Sequence, residues 1–90
     1  MYKVLTKVQR VTTNTSITPE GYGGWSAVNL GDTPAEINGV TVTSDGALIG
    51  VDYTTLPPSV IWNEPIRITF DGSGSNPLVL VTRLKYTYTE

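Results

Sequence analysis

Ninety residues without a cysteine or a histidine fit one domain with a modest core. They exclude a disulfide framework, a zinc ribbon, a thiol nucleophile and the imidazole on which most acid–base and metal sites depend. A formal net charge of −2 and a pI near 4.9 argue against a surface built to grip phosphates, so nucleic acid is not expected as a partner. No run approaches the roughly 20 apolar residues of a membrane-spanning helix, and the N-terminus lacks the layout of a signal peptide. A soluble protein with no membrane partner is expected, and the strand patterns at both ends suggest a complete small gene product.

Residues 2–11 mix β-branched with long polar side chains, as in a strand with one wet face. Residues 12–24 carry Thr, Asn, Ser, Pro and three glycines and are expected to be loop, a flexible surface arm bearing Tyr22 beside Gly21, Gly23 and Gly24. Residues 25–30 form a short strand that stops at Gly31-Asp32-Thr33-Pro34. A meander follows, with strands at 35–37, 40–44 and 47–52 joined by Asn38-Gly39 and Asp45-Gly46, dipeptides that favour the positive dihedrals of tight hairpins. Pro57-Pro58 makes 53–63 a crossing or an edge, because proline donates nothing to a ladder.

Residues 64–70 alternate cleanly, with Ile66, Ile68 and Phe70 on one side and Arg67 and Thr69 on the other. After a loop at 71–77, residues 78–88 open with four apolar residues, a half that reads as buried on both faces, and then alternate. Leu80, Leu84, Tyr86 and Tyr88 fall on one side, and Val81, Arg83, Lys85 and Thr87 on the other. No segment has the 3.6-residue period of a helix. The fold expected is all-β, a small antiparallel sandwich or barrel, jelly-roll-like, of about seven strands in a single domain over 1–90, with its first and last strands paired.

Charge is unevenly distributed along the chain. Every cation lies in the terminal strand patterns (Lys3, Lys7, Arg10, Arg67, Arg83 and Lys85), whereas every ionisable group from 11 to 66 is acidic. If the end strands pair, Lys3, Lys7, Arg67, Arg83 and Lys85 share an outward face that suits the acidic loops of a neighbour, and the resulting association weakens in salt. Tyr86 and Tyr88, near the C-terminus, are further interface candidates, together with Tyr22 and Trp62. Trp25 is expected in the core, and Trp62 suits core or interface equally.

No residue group frames a catalytic site. Serine catalysis without histidine needs a lysine or carboxylate base beside the hydroxyl, and none is suggested. The acids fall in or beside turns, unlike a glycosidase pair. Asp71-Gly72-Ser73-Gly74-Ser75 spells the Asp-x-Ser-x-Ser of adhesion-type cation sites, but joins two strands where those sites open onto a helix. Catalytic, cofactor-binding and metal residues are all expected to be absent, and no cofactor is expected.

The run Asn29-Leu30-Gly31-Asp32-Thr33-Pro34-Ala35-Glu36-Ile37-Asn38-Gly39-Val40-Thr41-Val42, followed by Asp45-Gly46, resembles the short β-rich accessory proteins of tailed-bacteriophage virions. Many of those read Asn-x-Gly-Asp-Thr, a strand, Asn-Gly-Val, a strand, then Pro-Gly, and Asp45 stands where proline is common. The resemblance implies a non-enzymatic virion component made in the host cytoplasm. It would be a capsid decoration, head-fibre or connector protein that assembles as a homo-oligomer, trimer favoured, with other virion proteins. Two other readings remain: a carbohydrate-binding module stacking sugars on Tyr22, Trp25, Tyr53 or Trp62, and a small phage-encoded inhibitor of a host protein.

Overall fold

A computed structural model describes residues 1–43, 48–57 and 59–88. Those residues contain eight strands and no helix: β1 Tyr2–Val11, β2 Thr15–Ile17, β3 Trp25–Asn29, β4 Ala35–Ile37, β5 Val40–Val42, β6 Gly50–Tyr53, β7 Ile66–Phe70 and β8 Val79–Tyr88. The expected Asp45-Gly46 turn lies outside the described residues, and the meander expected across it is corrected, because β5 pairs with β4 in one sheet and β6 with β3 in the other. The strand not foreseen is β2, inside the segment expected to be irregular. Three residues are too few to show a period, but Ile17 is buried and β2 pairs with β7 from Thr15↔Ile68 to Ile17↔Ile66.

The strands form two four-stranded antiparallel sheets, ordered β1-β8-β3-β6 and β2-β7-β4-β5. Pairing is nested: β1 with β8, β2 with β7, β3 with β6 and β4 with β5. The chain is therefore one long hairpin, rolled so that β8 meets β3 and β7 meets β4. This is the jelly roll, a double-sheet sandwich of two Greek keys. The tip of the hairpin is the β4–β5 turn, where Asn38 (φ 48°) and Gly39 (φ 86°) adopt the double left-handed conformation that Asn-Gly favours. The Asn38 side chain also fastens that turn to the sheet, its Oδ1 accepting from the Arg67 N–H at 2.7 Å.

Alternation along each strand supplies the core. Val11, Trp25, Ala27, Val79 and Val81 of the first sheet face Ile17, Ala35, Ile37, Val42, Ile66 and Ile68 of the second. Trp25, Tyr53 and Trp62 form a cluster with ring centroids 5.0–5.4 Å apart, including an edge-to-face Trp pair. Loop ends are held by side chains acting as backbone partners. The buried Asn29 amide donates to the Thr33 and Val42 carbonyls and accepts from the Gly31 N–H.

The shape is longer than its size requires: 50 × 23 × 19 Å, with a radius of gyration of 13.8 Å, where a compact chain of this length has about 12 Å. The excess comes from the β1–β8 ribbon. Beyond Leu84, which still bonds Gly23 and Gly24, β8 has only β1 beside it, from Leu5↔Lys85 to Tyr2↔Tyr88. The expectation of one wet face on β1 is corrected here. Residues 2–8 are exposed on both faces, because β1 is an edge strand and half of it leaves the body.

Candidate interaction surface

The register sorts the first sheet into two faces. Val79, Val81 and Arg83 face inward beside Asn29, Ala27 and Trp25. The outward face, in successive cross-strand rows, reads Tyr2–Tyr88, Val4–Tyr86, Thr6–Leu84, Val8–Thr82–Ser26–Asp52 and Arg10–Leu80–Val28–Gly50. Leu78 and Leu30, joined by a backbone bond from Leu30 N–H to Leu78 O, continue it as a sixth row. Among the described residues Arg10 and Asp52 are its only charges. On the second sheet the outward positions are Ser16, Arg67, Thr69, Glu36 and Thr41, a polar set that water covers at no cost.

An outward face rich in Val, Leu and Tyr is not what a solvated sheet carries. Val4, Val8, Leu30, Tyr2 and Tyr88 are each at least half exposed. Beyond the strand pairing itself, the tip carries an edge-to-face Tyr2–Tyr88 contact, centroids 5.2 Å apart. A two-stranded ribbon standing alone is marginal in water. The run Leu78-Val79-Leu80-Val81 reads as covered on both faces, yet within this chain only Val79 and Val81 are buried.

The basic residues lie elsewhere, and this corrects the expected shared outward face. Lys3, Lys7, Arg83 and Lys85 do share a face, but it is the inward one, and Arg67 is on the other sheet, in a shallow cleft of about 350 Å³ with Glu36 and Glu64. Arg83 is 2 % exposed. Its Nη1 donates to the Thr18 carbonyl at 3.1 Å, its guanidinium lies 4.7 Å from the Tyr22 ring centre, and Glu20 stands 3.7 Å away. Glu20 also reaches Lys7 at 3.6 Å, and the Lys85 Nζ lies 5.9 Å from the Tyr22 ring centre.

Residues 18–22 thus form a strap over the basic positions, turned at Glu20 (φ 55°) and Gly21 (φ 79°). The strap is fastened by a bond from Trp62 N–H to Tyr22 O, which replaces the expected flexible arm. Tyr22 is engaged within its own chain, and Trp62 packs on the core beside the buried Trp25. Tyr86 and Tyr88 do lie on the apolar outward face, alongside Tyr2, Val4, Val8, Leu80 and Leu84. Sequence reading had marked only the two tyrosines. The uninterrupted 78–81 run is the signal that points to the rest.

The polar loops do local work. Asp32 accepts from the Asn76 N–H at 2.8 Å, the Thr33 hydroxyl at 2.9 Å and both Ser75 groups, binding loop 71–76 to the β3–β4 connection. Those hydrogen bonds, the Asn76 N–H foremost, hold its carboxyl below the usual value. Asp71 accepts from the Ser73 hydroxyl and N–H, and Asp52 from the Thr54 hydroxyl and N–H, lowering each in the same way. The two serines of the Asp-x-Ser-x-Ser spelling therefore donate to different carboxylates. Glu36 and Asp52 sit within strands, which corrects their expected placement in or beside turns. Among the described residues no three acidic side chains gather to hold a metal ion.

No protein-family model matches the chain, and neither a curated protein nor a solved structure matches it.

Proposed function

We propose that this chain is a non-enzymatic structural subunit of a tailed-phage virion, an auxiliary capsid, head-fibre or connector protein, that works by assembling through the outward face of its first sheet. The observation that carries the proposal is that face: six rows of mainly apolar side chains on a sheet whose other side, over the body of the molecule, is already core. Apolar surface of this extent on a small protein marks a contact. The jelly-roll topology supports the reading by analogy, since capsid domains are among the proteins that use it. The residues 29–46 that resemble virion accessory proteins support it as well. The carbohydrate reading is less favoured, because Trp25 is buried, Tyr53 and Trp62 pack against it and the Tyr22 ring lies under Arg83.

The contact is mainly apolar, and of the neighbouring cations Lys7 and Arg83 are engaged by Glu20, so association persists in high salt, where an ionic contact would weaken. Leu84→Glu places a charge in the third row without touching the core. The expected result is an oligomer for the parent chain and a folded monomer for the variant by light scattering. An antibody to the chain should decorate purified particles of the phage that encodes it. Particles that lack the chain would refute the virion assignment, and an oligomer indifferent to Leu84→Glu would refute the surface.

A further inference from the structure

Building on that reading of the face, we infer that its occupant is a second copy of this chain, packed face to face across a two-fold axis that runs perpendicular to the strands, so that each β1–β8 ribbon tip lies on the body of its partner. Three properties of the face lead to this arrangement. Among the described residues its only charges are Arg10 and Asp52, of opposite sign, so two copies meet there without net repulsion. Its six rows, spaced about 6.8 Å apart along the strands, span about 34 Å, and three strands give a width of about 14 Å. That is on the order of 500 Å² per copy, and two copies reach the roughly 1,000 Å² that separates specific interfaces from incidental ones.

The third property is coverage. Inverting the row order sets the tip rows, with Tyr2, Tyr88, Val4 and Tyr86, over the partner's fifth and sixth rows, with Leu80, Val28, Leu78 and Leu30. Arg10 then lies over the partner's second row, within reach of its tyrosine faces. A two-fold axis parallel to the strands would set each two-stranded tip on the partner's tip and away from its body, because β3 and β6 stop short of the first two rows. Edge-to-edge pairing of two β1 strands would gather Lys3, Lys7 and Arg10 of both copies along one seam, a charge pattern that protects an edge from pairing. The isologous face therefore closes with two chains, and not with the three that the virion resemblance favours.

The chain has no cysteine, which permits a direct test. Tyr86 is in the second row and Leu80 in the fifth, so inversion stacks Tyr86 of one copy on Leu80 of the other. Within one strand the two are about 20 Å apart. Tyr86→Cys and Leu80→Cys are prepared as separate variants and treated with a thiol-to-thiol cross-linker of about 10 Å reach, the spacing of packed sheets. The expected result is a covalent dimer in the equimolar mixture and none in either variant alone, with circular dichroism showing both folded. Cross-linking within a single variant, or a trimer by sedimentation, would overturn the inverted two-fold. If Leu84→Glu disperses the oligomer while the mixture fails to cross-link, the face remains an interface and the proposed packing falls. If the parent chain is a monomer, both fall together.

Discussion

Replacing Val8 by Thr separates association from folding. Val8 is 58 % exposed on the outward face, in the fourth row. Threonine keeps the β-branched shape and strand preference, so the isolated chain should lose no more than about 0.5 kcal/mol, as surface substitutions do. In the assembled face the hydroxyl is carried out of water with no partner, at a cost of roughly 1–2 kcal/mol per copy. A two-fold contact counts it twice, so the dimer is weakened by about 2–4 kcal/mol, or roughly 30- to 700-fold in Kd. The matched control is Val81→Thr, where the valine is fully buried and the same hydroxyl enters the core. Sedimentation across a dilution series reads Kd, and thermal melting reads fold stability. Val8→Thr should move the first alone, and Val81→Thr should lower the melting temperature. A Val8→Thr protein that associates as tightly as its parent would refute the reasoning.

Asp32 ties two loops together as a carboxylate, and its folded pKa lies below the ordinary 3.8. A depressed acid contributes stability above its unfolded value and loses it as pH falls through the folded one. Asp32→Asn should therefore melt lower at neutral pH and show a flatter decline below about pH 4, while the unchanged Asp52 and Asp71 leave part of that decline. In Gly39→Ala the new methyl meets no atom within 4 Å, but φ is 86°. The cost is conformational, about 1 kcal/mol, and appears as a fall of roughly 4–8 °C in melting temperature; no change would mean that the turn is not held left-handed. Calcium at millimolar concentration should leave the melting temperature where it is, because the Ser73 and Ser75 hydroxyls donate to Asp71 and Asp32. A rise would show a cation site in loop 71–76.

Much of the fold was legible in the residues. The bounds of β1 and β4, the Asn38-Gly39 hairpin and the pairing of first and last strands all follow from alternation and turn chemistry. Strand β2 was not, because three residues between polar turns carry no period and Ile17 has meaning only against Ile66. The two sides of β8 were sorted correctly, Leu80, Leu84, Tyr86 and Tyr88 against Val81, Arg83, Lys85 and Thr87. Which side met the core could not be read from one strand, since both are apolar in part. The pairing of β8 with Trp25, Ala27 and Asn29 decides it, and the same pairing turns Arg83 inward under the Tyr22 strap. The residues of the proposed contact are consequently the apolar ones, whereas the local charge pattern points to the lysines and arginines.

The most direct test of an assembling face is the solution mass of the unmodified chain, taken by light scattering behind size exclusion at low and high salt. A species of twice the 9.7 kDa chain mass, persisting at high salt, is the expected result. A monomer at every concentration and salt would contradict the account at its centre.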